Sequence, residues 1–163
     1  MKIVHIGEPV LREKAVRVER FGESLKKTLD EMVVLMRKKS GVGLAAPQIG
    51  IPERFFVVQV PGEQPIAFVN PEIIETSLET VDFTEGCLSV PGVWGDVSRP
   101  ESICIQAMNA DGKVFRLNAD GYLARIIQHE YDHLNGVLFV DHLKGKDLAK
   151  IQKKLDKWEP STK

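Results

Sequence analysis

The sequence predicts an α+β fold, a single compact domain over residues 1–163 with antiparallel strands around a central His-Glu-x-x-His helix and a C-terminal helix. Three observations lead there. Strand-like runs fill the middle of the chain, a strongly helical segment, "GYLARIIQHEYDHLNG", follows them, and no Pro/Gly/Ser-rich linker divides the whole. The first element is the helix "GESLKKTLDEMVVLMRKKSGVG". Leu25, Leu29, Met32, Val33 and Met36 recur at helical spacing, cations fill its last turn, and Gly41 can end it. Next comes "SGVGLAAPQIG", rich in glycine and alanine and read as a tight connection. Residues 53–60 and 65–74 are predicted strands separated by a turn at Pro61-Gly62. "FTEGCLSVPGV" is predicted to be a shaped loop rather than a strand, because Gly86, Pro91 and Gly92 interrupt it. Two alternating runs, "SICIQAMN" and "KVFRLNA", flank Ala110-Asp111-Gly112 and predict a hairpin. Asn118 or Asp120 can cap the central helix, Leu123, Ile126, Ile127 and Leu134 give it core contacts, and Asn135-Gly136 stops it. A last helix from about Lys146 carries Leu148, Ile151, Leu155 and Trp158 on one face, before Pro160.

Composition narrows the function classes. Apolar residues make up 43% and charged residues 28% of the chain, enough apolar material for a real core. A formal net charge of -1 gives no global attraction to DNA or to an anionic membrane. No apolar run reaches the roughly 20 residues of a membrane span, and "MKIVHIGEPVLREKA" lacks the blocks of a signal peptide. The expected location is the cytoplasm, although a transit peptide already removed would leave no trace. Cys87 and Cys104 are read as two free thiols.

Three stretches carry chemistry. On the central helix His129 and His133 stand four apart, on one face, with Cβ atoms about 5–6 Å from each other, so two imidazoles can converge on one ion. Glu130 is close to that face yet rotated away from His129, which suits it to handle the proton of a water beside the ion. The alternative is two ordinary histidines on a helix face. A third ligand is needed, and Cys87, Cys104, His5, His142 and several carboxylates are candidates. Cys104, between isoleucines, reads as a core thiol; His5 and His142 read as solvated or internally paired. Cys87 lies beside Gly86, which allows close backbone approach, although a small buried hydrophobe would look the same. In "SGVGLAAPQIG" Gln48 is the one side chain that can both donate and accept hydrogen bonds. A phosphate loop is excluded there, since no Gly-Lys-Ser/Thr or GxGxxG occurs.

In that order "GVGLAAPQ", "EGCLS" and "QHEYDH" resemble the three signature motifs of the peptide deformylases, and the resemblance runs from "EPVLREKA" to "NGVLFVDHL". It implies a metal held by Cys87, His129 and His133, with Fe2+ as the physiological ion and Zn2+, Ni2+ or Co2+ able to replace it. The implied reaction removes the formyl group from N-formylmethionyl nascent peptides and releases formate. Glu130 is the implied general base, with Gln48 and the backbone N–H of Leu88 as donors to the developing oxyanion. Glu85 is implied to support the cysteine segment. The methionine pocket is implied to involve Val42, Phe83, Tyr122, Arg125 and Ile126, with the head of Arg125 in water, and Gly43 is implied to pair with the substrate main chain. Several relatives carry an aliphatic residue where Arg125 stands and a cation near Trp94, where the nearest cation here is Arg99, so pocket shape and preference beyond the first residue are open. Trp94 is read either as a rim contact for the nascent chain or as an apolar cover for the loop. A zinc endopeptidase would instead need a third ligand downstream of His133, where only His142 is available, and a binding module that had lost activity would lack one of these groups. A transient ribosome contact through Lys144, Lys146, Lys150, Lys153, Lys154 and Lys157 competes with a simply solvated helix face.

Overall fold

Strand β2, Phe55–Val58, is buried at all four positions, and its alternate side chains enter two different cores. This is possible because β2 sits inside an antiparallel five-stranded sheet with helices on both faces. The computed structural model describes residues 1–160. The sheet runs β1 (Gly43–Ala45), β2, β3 (Ile66–Thr76), β6 (Ser102–Met108) and β7 (Val114–Asp120), in that spatial order. A separate two-stranded ribbon is formed by β4 (Thr80–Cys87) and β5 (Val90–Pro100).

Helix α1, Glu23–Lys38, covers one face of the sheet. Leu25, Leu29, Met32 and Met36 pack there with Phe55, Val57 and Val69. The other face receives α2, Gly121–Leu134, whose Ala124, Ile126, Ile127 and Leu134 join Phe56, Val58, Phe68 and Ile105. Side chains alternating across β2 follow directly from the period of two along a strand. A third cluster lies under the ribbon, where Val90, Val93 and Val97 of β5 meet Leu138, Phe139, Leu143 and Ile151. Ile151 belongs to α3, Gly145–Trp158, and Leu148, Leu155 and Trp158 from the same face pack around it. The single compact α+β domain expected from the sequence is what the chain forms, while positions 161–163 of the expected domain lie outside the described residues.

Several local expectations need correction. The segment around Cys87 is not a free loop: Glu85, Gly86 and Cys87 pair with β5, with a register shift between Gly86 and Cys87. Gly86 is small because the Trp94 ring occupies the space a Cβ would fill. Ser40, at φ 58°, rather than Gly41, takes the left-handed turn after α1. Asp120 stands at the N-cap of α2 without a capping side-chain bond, and Asn118 lies within β7. Cys104 is half-buried on β6 and belongs to no buried core cluster. The Asp111-Gly112 hairpin and the Asn135-Gly136 stop both form, with Gly136 at φ 72°.

Candidate active site

One face of α2 carries His129 and His133 toward the end of β4, where Cys87 waits. Cys87 Sγ is 3.4 Å from His133 Nε2, and the sulfur and one nitrogen of each histidine lie within 4.8 Å of one another. A sulfur and two imidazole nitrogens converging at this range fit a transition-metal ion. The remaining nitrogen of His129, Nδ1, meets Glu85 Oε1 at 2.8 Å, the kind of carboxylate support that fixes a ligating ring. His133, buried to 1% exposure, is held well below its ordinary pKa, by burial first and by the charge of His129 second, so it presents a neutral ring.

Glu130 occupies the turn between the two histidines. Its Oε1 is buried without a hydrogen-bond partner among the described residues, which leaves one carboxylate oxygen free for a ligand or a reacting group. Burial raises its pKa to about 7 against the opposing pull of His129. The carboxylate rests against Gly43 of β1, where any Cβ would collide with it. Gly43 therefore has a second task besides the main-chain pairing expected of it. On its open side β1 is an edge strand of the sheet.

Gln48 lies in the short 3-10 helix after β1, Ala46–Ile49. Its Oε1 accepts the Ala45 backbone N–H at 2.9 Å, and its Nε2 is 3.5 Å from Cys87 Sγ. A cavity of about 450 Å³ opens over this cluster. Val42, Gly43, Phe83, Tyr122, Arg125 and Ile126 all line it, as do Gln48, Glu85, Leu88, His129 and Glu130. Trp94 lines it too, 68% exposed, while its ring packs on Gly86. It is both rim and cover.

Glu85 is the electrostatic centre of the site. It accepts Arg99 Nε at 2.6 Å and Nη2 at 3.0 Å, Arg125 Nη1 at 2.8 Å, and pairs with His129. Burial pushes its pKa up, but the hydrogen bonds from His129 and Arg99 more than offset this and hold it well below the usual carboxylate range. The expected position of the Arg125 head in water is wrong. That guanidinium is buried, donates also to Val97 O at 2.7 Å and Val81 O at 2.6 Å, and stands 5.6 Å from the centre of the Phe83 ring. A buried carboxylate needs compensating charge and donors, and this need draws the arginine inward. Arg99 is likewise unavailable to the Trp94 rim, since it bonds Glu85 and, at 2.9 Å, Asp132. His142, exposed, pairs with the same Asp132 at 2.9 Å, and His5 is exposed on the surface. Neither joins the cluster.

Asp132 and Ser89 are not singled out by the sequence, and Arg99 enters there only as the cation nearest Trp94. Arg99 did leave a signal, because along β5 it shares the parity of the buried residues Val93, Gly95 and Val97. Ser89, whose Oγ is 3.2 Å from Gln48 Nε2, left none beyond its place at the end of the "EGCLS" motif.

Comparison with known proteins decides the family. Residues 1–149 match the family described as Polypeptide deformylase. The chain belongs to that family. Peptide deformylase of Thermotoga neapolitana is 45% identical over 149 residues, covering 91% of this chain and 90% of that protein. The crystal structure of peptide deformylase from Thermotoga maritima superposes with a TM-score of 0.86 at 46% identity, covering 88% of this chain and 97% of the other. A peptide deformylase from Synechococcus elongatus, solved in complex with actinonin, gives 0.90 at 42% identity over 94% of this chain and 86% of the other. These deformylases share the α+β architecture, so the enzyme class and the fold agree.

Proposed function

We propose that this enzyme hydrolyses the N-terminal formyl group of N-formylmethionyl nascent peptides at a metal held by Cys87, His129 and His133. The observation that carries the reading is the convergence of those three ligand atoms within 4.8 Å, beside the free carboxylate oxygen of Glu130 and within one cavity with Gln48. We propose Fe2+ as the ion, on the family resemblance alone, with Zn2+, Ni2+ or Co2+ as substitutes that a thiolate with two imidazoles also accepts. When bound, the ion supplies Lewis acidity that makes water nucleophilic near neutral pH and polarises the formyl carbonyl.

The protein supplies the rest. Glu130 takes the proton of the attacking water and returns it to the departing amine. Water oxygen joins the formyl carbon, the C–N bond breaks, and formate and a free N-terminus leave. Gln48 Nε2 and the Leu88 backbone N–H donate to the formyl oxygen as negative charge grows there. His129 is kept in orientation by Glu85, which Arg99 and Arg125 clamp in turn. The apolar walls of Val42, Phe83, Tyr122 and Ile126 over the stem of Arg125 suit an unbranched methionine side chain. The open edge of β1 at Gly43 offers main-chain pairing to an extended peptide.

A cytoplasmic enzyme acting on nascent chains fits these features. No helix among the described residues is long and apolar enough to cross a membrane. A 41%-identical tomato relative named as chloroplastic keeps an organellar setting open; this chain spans 57% of that relative's length. The exposed lysines of α3 read first as a solvated helix face, with a transient ribosome contact as the second reading. The test is anaerobically purified, iron-loaded protein with formyl-Met-Ala-Ser. Formate without internal peptide cleavage is expected, and internal cleavage without formate overturns the reading.

A further inference from the structure

The carboxamide of Gln48 has one acceptor oxygen and two N–H donors. Its oxygen is committed, since Oε1 accepts the Ala45 backbone N–H at 2.9 Å. That bond also settles which end is oxygen, because a backbone N–H cannot accept from an amide nitrogen. Nε2 sits 3.2 Å from Ser89 Oγ and 3.5 Å from Cys87 Sγ. With one N–H given to the serine hydroxyl, the other is directed at the sulfur side of the cavity, where a formyl oxygen must come. Ser89 itself is fully buried and does not line the cavity.

Both residues are also held from behind by one segment of chain. The Val4 N–H donates to Gln48 O at 2.7 Å, and the Ile6 N–H donates to Ser89 O at 2.8 Å. Two amides from the N-terminal segment therefore fix the 3-10 helix after β1 and the β4–β5 turn at one separation. The terminal torsion of a glutamine is intrinsically broad. Backbone placement alone would leave the amide free to swing, and the Ser89 hydroxyl removes that freedom.

We infer that Ser89 is a positioning residue for the reaction: its hydroxyl, backed by the Val4 and Ile6 amides, holds one N–H of Gln48 aimed at the substrate carbonyl oxygen. The inference rests on the deformylase reading of the same site. Preorganised donors gain their catalytic value from being aligned before charge develops, so loss of alignment appears in kcat more than in KM.

The decisive experiment is a double-mutant cycle on the metal-loaded enzyme with a formyl-Met peptide. Ser89→Ala should lower kcat about tenfold with KM within about twofold, because it misaligns a donor without removing it. In a Gln48→Ala background the same change should cost less than about twofold, since the hydroxyl then has nothing to aim. Equal losses in both backgrounds, or no loss in the parent, overturn the inference. Val4→Pro, which removes the amide behind Gln48, should follow the same pattern; equal losses in both backgrounds would count against the clamp. A measurement independent of turnover separates this claim from the deformylase reading. In zinc-loaded, 15N-labelled protein, the Gln48 side-chain proton given to Ser89 should exchange slowly with solvent and faster in Ser89→Ala. Unchanged exchange overturns the role of Ser89, whereas a parent enzyme that releases no formate overturns the reaction and leaves the exchange result to decide on Ser89.

Discussion

Helix α2 and the β4–β5 ribbon meet at the same site, yet they are built in different ways. The helix is placed by apolar packing: Ile126, Ile127 and Leu134, whose periodicity is visible in the sequence, are buried against the sheet together with Ala124. The far half of the ribbon is anchored to the helix by charge. Glu85 on β4 and Arg99 on β5 meet Arg125, His129 and Asp132 on α2 through hydrogen bonds between 2.8 and 2.9 Å. A hydrophobic anchor tolerates substitutions of similar volume, whereas a buried ionic one fails when a single partner is lost. The site thus has an adaptable half and a brittle half.

The largest effect falls on the helical half. Glu130→Gln keeps the shape of the side chain and removes the base, so kcat should fall by about 10²–10⁴. Metal content, measured by elemental analysis, should stay at the parent level; loss of the ion would make Glu130 a ligand. On the brittle half, Glu85→Gln leaves Arg99 and Arg125 without their shared buried carboxylate. Unfolding in urea should show a loss of about 3–5 kcal/mol. A loss below about 1 kcal/mol would mean that the ribbon is held by packing after all.

The same carboxylate gives the pH dependence a sign. Its folded pKa is depressed from an unfolded value near 4.5, so its contribution is fully present above that value. The contribution is lost as pH falls toward the depressed folded value. The Tm of the parent should therefore drop faster than that of Glu85→Gln below about pH 5, and parallel curves would remove Glu85 from the acid response. The smallest effect belongs to Asp120. Its side chain makes no capping bond, so Asp120→Ala should change stability by no more than about 0.5 kcal/mol, against about 1 for a working cap.

What the sequence revealed follows the same division. Helix α2, its stop at Asn135-Gly136 and the Asp111-Gly112 hairpin were legible because period and turn chemistry are local signals. The ribbon was not: Val81 and Phe83 do alternate with Thr80, Asp82 and Thr84, but Gly86, Pro91 and Gly92 break the run and read as loop chemistry. Gly86 and Gly92 looked like loop residues, whereas Gly86 is there to seat the Trp94 ring. The three motifs named Cys87, His129, His133, Glu130 and Gln48, and the fold brings all five together. The inward turn of Arg125 was hidden, since it depends on where the charge of Glu85 ends up. So was the pairing of Gln48 with Ser89, which are neighbours only after β4 and β5 fold back.

The central claim is that the ribbon and the helix share one ion, with sulfur from the first and two imidazoles from the second. X-ray absorption of the nickel- or cobalt-loaded enzyme tests it most directly. The parent should show a single sulfur scatterer at about 2.3 Å with nitrogen neighbours, and Cys87→Ser should lose the sulfur and keep the nitrogens. A coordination shell without sulfur in the parent, or one unchanged by Cys87→Ser, would contradict the account.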